Sequence, residues 1–132
     1  MTRLARDEGG ATAIEFALAS TALILFVFGI IEMARMLWTQ QVLQGAAAET
    51  ARCLAIGSSL CPSAGTFAAT AAANRGVGDV QTGQVTVSAS DSCNSTSGTF
   101  TKVTIAYGFS TVLPAYIPVP AGGLTAVGCF PH

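Results

Sequence analysis

The sequence predicts an α+β fold, a long N-terminal transmembrane helix continuing into a small head with a short helix and a three-stranded antiparallel sheet. Three observations carry this reading. From Ala11 to Ile31 the chain is apolar and Glu15 is its only charged residue. Ala-rich sequence with helical spacing then continues to about residue 56. Beyond it, three segments alternate apolar and polar residues with the period of two that marks strands.

The helix is the firmest element. The 21 residues of its apolar run, Ala11–Ile31, would span about 31 Å at helical rise, enough to cross the hydrocarbon core of a bilayer. Glu32-Met33-Ala34-Arg35-Met36-Leu37-Trp38 continues without Gly or Pro, and Gln44–Arg52 is rich in Ala, the best helix former. Met33, Met36 or Leu37, Leu43, Ala47 and Leu54 form one mildly apolar stripe. Gly57-Ser58-Ser59, with Pro62 soon after, supplies the stop. Glu32 and Arg35 stand i,i+3 and are expected to pair on the helix surface near the end of the span. Trp38 reads equally well as an interfacial anchor or as an aromatic of the head.

Thr66–Arg75 reads as the second helix, capped by Ser63 or Thr66 and ended by Gly76 and Gly78. The strands follow. Val85, Val87 and Ala89 alternate with polar residues; so do Val103, Ile105, Tyr107 and Phe109, and then Ala126, Gly128 and Phe130. Asp91–Gly98 reads as a polar loop. Ser110–Gly123, with Pro114, Pro118 and Pro120, is too rich in proline for a central strand. The outer half of the first helix, with the second beside it, is the expected cover for one sheet face.

Composition narrows function. Charged residues are 10% of the chain and the net charge is −1, with no basic patch, so nucleic acid is not an expected partner. The four cysteines, Cys53, Cys61, Cys93 and Cys129, are an even number behind an export-like segment, which reads as two disulfides in an oxidising compartment. Three connectivities are open; proximity favours Cys53–Cys61 and Cys93–Cys129. With no C-x-x-C and only the terminal His132, neither a metal site nor a redox site is expected. The exported acids Glu49, Asp79 and Asp91 fall in unrelated contexts and suggest neither a catalytic constellation, a cofactor nor a small-molecule substrate.

Glu15 needs a reason, because a carboxylate in a lipid-spanning helix costs roughly 2.5–3.5 kcal/mol on insertion scales. Thr12-x-x-Glu15 matches a capping box, and a glutamate in a first turn complements the helix dipole. A second explanation lies in Gly9-Gly10-Ala11-Thr12-Ala13-Ile14-Glu15-Phe16 followed by the apolar run, which resembles the class III signal of type IV pilins and pseudopilins. Cut after Gly10, the chain would begin at Ala11 and carry Glu15 as its fifth residue. A Sec-type signal fits less well, because the apolar run continues to Ile31 and the small residues Ala46-Ala47-Ala48 lie too far beyond it. The first cysteine is Cys53, which removes a lipoprotein reading. Arg3 and Arg6 in Met1–Gly10 favour a cytoplasmic leader and an exported head.

Gly9–Leu18, Phe28-Gly29-Ile30-Ile31-Glu32-Met33-Ala34-Arg35 and Ala46-Ala47-Ala48-Glu49-Thr50-Ala51-Arg52 together resemble the TadE-like pseudopilins of tight-adherence (Tad/Flp) pilus systems. A sister family, TadF, shares the leader and similar size. The resemblance implies a leader over residues 1–10 cut by a prepilin peptidase, a transmembrane helix over 11–31 and an extracytoplasmic pilin-like domain over 32–132. By residue match, Gly10 precedes the cut, Ala11 becomes the new terminus and Glu15 takes the acidic position of pilin-like helices. It further implies a bacterial inner-membrane minor pseudopilin, single-pass with a periplasmic head. Its partners would be the prepilin peptidase, other Tad pseudopilins, the pilus assembly platform and membrane lipid, and its role assembly, adherence and biofilm formation. The competing expectation is an unprocessed single-span anchor whose disulfide-tied head binds a partner.

Overall fold

The computed structural model describes residues 8–93, 95–112, 119–120 and 122–131. The leader residues 1–7, Asn94, the prolines Pro114 and Pro118, and His132 lie outside the described residues. Helix α1 runs from Glu8 to Ala55 without a break. It begins upstream of Thr12, so Thr12 lies in the helix interior and is not an N-cap in the uncut chain. Gly57 ends it at φ +62°, with Gly57 N–H donating to Leu54 O and Ser58 N–H to Cys53 O. This pair of bonds closes the last turn and needs a left-handed residue, which glycine adopts at little cost.

Helix α2 spans Ala64–Ala73 and is capped by Ser63, whose hydroxyl accepts from Thr66 N–H. A short 3₁₀ turn at Thr82–Gln84 leads into the sheet. Strands β1 (Val85–Cys93), β2 (Thr96–Tyr107) and β3 (Leu124–Pro131) form one antiparallel sheet in the order β1-β2-β3.

One sheet face packs on the outer half of α1. The register sets Val103 opposite Gly128, Ile105 opposite Ala126 and Tyr107 opposite Leu124. Val103, Ile105 and Ala126 are fully buried, against Leu43, Ala46, Ala47 and Ala51 of α1 in the same core cluster. Ala68, Ala71 and Ala72 of α2 close the side. The core is mostly alanine and valine, so its elements approach closely and bury little volume per residue. A core of this size gains from covalent staples, and disulfides join Cys53 to Cys61 and Cys93 to Cys129.

Close approach has one structural requirement. A Cβ built on Gly128 would fall on the backbone of Ala47 and Ala48. Gly128 is therefore the contact point of β3 and α1, not simply one inward position of an alternating strand. The free edge of β3 is also tied to the helix. Gln40 Nε2 donates to Thr125 O (2.9 Å) and Gln44 Nε2 to Val127 O (3.2 Å). One helical turn separates the glutamines and two residues separate the carbonyls, so both spacings match at about 6–7 Å.

Three sequence expectations change. The apolar stripe begins at Met36, because Met33 and Leu37 are exposed; the buried face runs through Thr39, Val42, Leu43, Ala46, Ala47, Thr50 and Ala51. Buried Thr50 is satisfied by donating to Ala46 O at 2.7 Å. Asp91–Gly98 is the end of a long hairpin and not a polar loop: Ser92 pairs with Ser97 and Cys93 with Thr96, after a register shift between Ser90 and Ser92. Backbone pairing forms this arm although its side chains are too polar to signal a strand. Its end must fold back. Cys93 is opposite Thr96 and Cys129 opposite Lys102, about 20 Å apart along a straight strand, yet the two cysteine Cα atoms are 6.4 Å apart. Finally, Val87 is half-exposed and Ala89 exposed, because α1 covers β2 and β3 and leaves the outer part of β1 bare.

Candidate functional site

Among the described residues, most of the inner half of α1 packs on no other part of the chain. In its most apolar 18-residue window no residue is buried. Ile14, Phe16, Leu18, Leu23 and Phe26 are all more than 60% exposed, on every side of the helix. A helix apolar all round belongs in a nonpolar solvent or against other helices. This one long apolar helix fits a single-pass membrane anchor.

Gly10, Ala11 and Glu15 lie at its exposed start. Among the described residues none forms a hydrogen bond or ion pair with the Glu15 carboxylate. Other polar groups of this half are satisfied internally: Ser20 and Thr21 both donate to Ala17 O, at 3.0 and 2.8 Å. That back-bonding makes hydroxyls tolerable in an apolar medium. A Cβ added to Gly29 would meet no atom within 4 Å, so its face is open.

At the other end of the apolar run the chain builds a polar junction. Glu32 is 4% exposed. Its Oε2 accepts from Arg35 Nη1 at 2.7 Å and its Oε1 accepts from Val112 N–H at 3.0 Å. Burial pushes the Glu32 carboxyl up, but the Val112, Thr111 and Arg35 hydrogen bonds and the Arg35 charge outweigh it and hold the group below its ordinary value. The Glu32–Arg35 pair is thus not a surface pair on the acid's side. The segment following β2 folds down over it, a contact between residues 80 apart that helical spacing does not reveal. Arg35 remains half-exposed, with its guanidinium 5.6 Å from the Phe109 ring centroid.

Beside this junction Arg35, Trp38, Asp79, Tyr107 and Phe109 line an open groove of about 310 Å³. Tyr107 OH donates to Asp79 Oδ2 at 3.0 Å; burial first, and then the Asp79 bond, push the phenol up. Trp38 is 63% exposed and is not an aromatic of the head core. Among the described residues no cluster of three His, Cys, Asp or Glu is placed to hold a metal. Further along α1, Arg75 pairs with Glu49 at 2.7 Å, both half-exposed, an ion pair worth about 0–1 kcal/mol.

The structure therefore brings Glu32 and Arg35 together and joins the cysteines in two pairs. It leaves Glu15 alone among the described residues, on an apolar surface. The Val112 contact and the two glutamine contacts are additions that the sequence pattern does not signal.

No curated protein and no solved structure matches the chain. The family model described as TadE-like protein matches residues 10–52, from the glycine before the apolar run almost to the end of α1. Its span covers the exposed apolar half, the Glu32–Arg35 junction and the face that carries Gln40, Gln44 and Ala47. By that match, residues 10–52 of this chain are similar to the TadE-like family.

Proposed function

We propose that this protein is a minor pseudopilin supporting assembly of a Tad/Flp type IV pilus, cut by a prepilin peptidase between Gly10 and Ala11. The TadE-like match supports a Tad pilus-associated role and makes other pilus components the expected partners. TadE-like pilus components are structural rather than catalytic, and we assign this chain no reaction. One observation carries the finer reading: Glu15 stands unpaired, among the described residues, on a helix half most of which packs on no other part of the chain. A lone carboxylate in lipid is costly and needs a partner. The new Ala11 ammonium, of the same chain or of a neighbour, is a cation of the right charge at the right end of the helix. Pairing the two offsets the cost of both and sets the register of adjacent helices.

In this reading residues 1–10 are the leader and residues 11–31 cross the inner membrane. Residues 32–132 form the extracytoplasmic pilin-like domain, where disulfides form. Adherence and biofilm formation follow from pilus assembly. The deciding experiment is mass spectrometry of the protein extracted from native membranes. A chain beginning at Ala11 is expected. A chain beginning at Met1 or Thr2 in cells with active peptidase refutes processing and leaves an uncut single-span anchor with a partner-binding head.

A further inference from the structure

Among the described residues, the segment after β2 meets α1 where its inner half ends. Glu32 stands at the end of the apolar run and holds Val112 by its backbone N–H. Val112 then shares a groove of about 420 Å³ with Phe28, Ile31, Glu32 and Arg35. The four helix residues fall on one face, at spacings of three and four. Phe28, Ile31 and Val112 are 58, 50 and 77% exposed. The groove's polar members are occupied elsewhere: Glu32 is buried in its bonds, and Arg35 turns to Glu32 and Phe109.

We infer that Val112 and the groove beneath it form a second membrane contact, which seats the underside of the head in the outer leaflet beside the helix. The inference rests on the reading of α1 as a membrane anchor. Phe28 and Ile31 then face acyl chains, and Val112 continues the same apolar surface without a break. One solvent must cover all three. The adjoining sequence agrees, since Thr111–Gly123 contains no charged residue. Arg35 marks the upper rim, its apolar stem along the groove and its half-exposed guanidinium at headgroup level. The buried Glu32 bonds hold Val112 against the helix at the membrane surface. A head held at two points presents its assembly faces in one orientation, whereas a head on a bare helix would swing.

Depth-dependent quenching tests this. The chain has a single tryptophan, so Trp38→Phe provides a silent background. Phe28→Trp, Val112→Trp or Leu60→Trp is added to it, and the full chain is reconstituted into phosphatidylcholine–phosphatidylglycerol vesicles with brominated acyl chains. Leu60 is 80% exposed at the far end of α1, beyond its last turn, and serves as the aqueous reference. Expected is loss of emission at positions 28 and 112 but not at 60. Quenching at 28 without quenching at 112 overturns the second contact while leaving the anchor standing. Emission at 112 shielded from both bromolipid and aqueous acrylamide would mean that a neighbouring copy covers the groove, and also overturns it. Absence of quenching at 28 removes the anchor reading and this inference together.

Discussion

Substituting Gly128 with alanine tests the contact on which the head is built. The added Cβ would meet the Ala47 carbonyl and the Ala48 nitrogen, both helix backbone that cannot swing aside. Carbon atoms prefer separations of about 3.5–4.0 Å, so α1 must lift from β3 by roughly an ångström. Lifting loosens Leu43, Ala47, Ala51 and Ala126, all at 0% exposure. Overpacking of this kind costs about 1–3 kcal/mol, and rigid backbone on the receiving side argues for the upper end. Replacing a strand glycine recovers about 0.5–1 kcal/mol of chain entropy. The net is a loss of about 2 kcal/mol, which lowers Tm by about 8–16 °C in a domain of this size. Gly45→Ala is the matched control: a Cβ there has nothing within 4 Å, and helix propensity should stabilise it by about 1 kcal/mol. Melting of the full chain in detergent micelles, without reductant, measures both. If the two variants melt within a few degrees of each other, the close approach of β3 to α1 is wrong.

Other outcomes follow from the same geometry. Glu15→Gln should be processed and fold normally yet lose crosslinks to its pilus partners, because an unpaired buried partner costs about 3–5 kcal/mol; wild-type crosslinking and piliation would reduce Glu15 to a helix-start role. The Glu32 carboxyl titrates lower in the folded chain than its ordinary 4.5. Its contribution is therefore complete above that value and declines as pH falls through it toward the folded value. Melting of Glu32→Gln should lie below that of the parent at pH 7 and converge with it in acid; a gap that persists unchanged to pH 3 would contradict the junction. In the chain-entropy account, removing Cys53–Cys61 by a double alanine substitution costs about 2.5 kcal/mol and removing Cys93–Cys129 about 4 kcal/mol, since the links close 8 and 36 residues. Denaturant titration of the two double variants should rank them in that order, and the reverse order would mean that the hairpin end is not held through Cys93.

The sequence by itself determined the features that depend on near neighbours. The apolar run and its length, the glycine stop at Gly57, the Ser63 cap and the alternation around Val103–Tyr107 are all legible because each needs only residues within one or two turns or along one strand. The candidate site was legible to the same extent: Gly10, Ala11 and Glu15 form a short motif at the head of an apolar run. Tertiary structure alone decided the rest. That Gly128 marks the close approach of sheet and helix depends on Ala47, on another element. Gln40 and Gln44 look like ordinary helix surface until β3 presents carbonyls 85 and 83 residues away. Glu32 and Arg35 read as an exposed pair until Val112 closes over the acid. The Asp91–Gly98 stretch looks like a loop because its pairing is carried by backbone groups, which every residue has, and its position by a disulfide to Cys129. Local periodicity is written in side chains a few residues apart; packing distance, burial of a charge and the course of a polar hairpin arise only when distant segments meet.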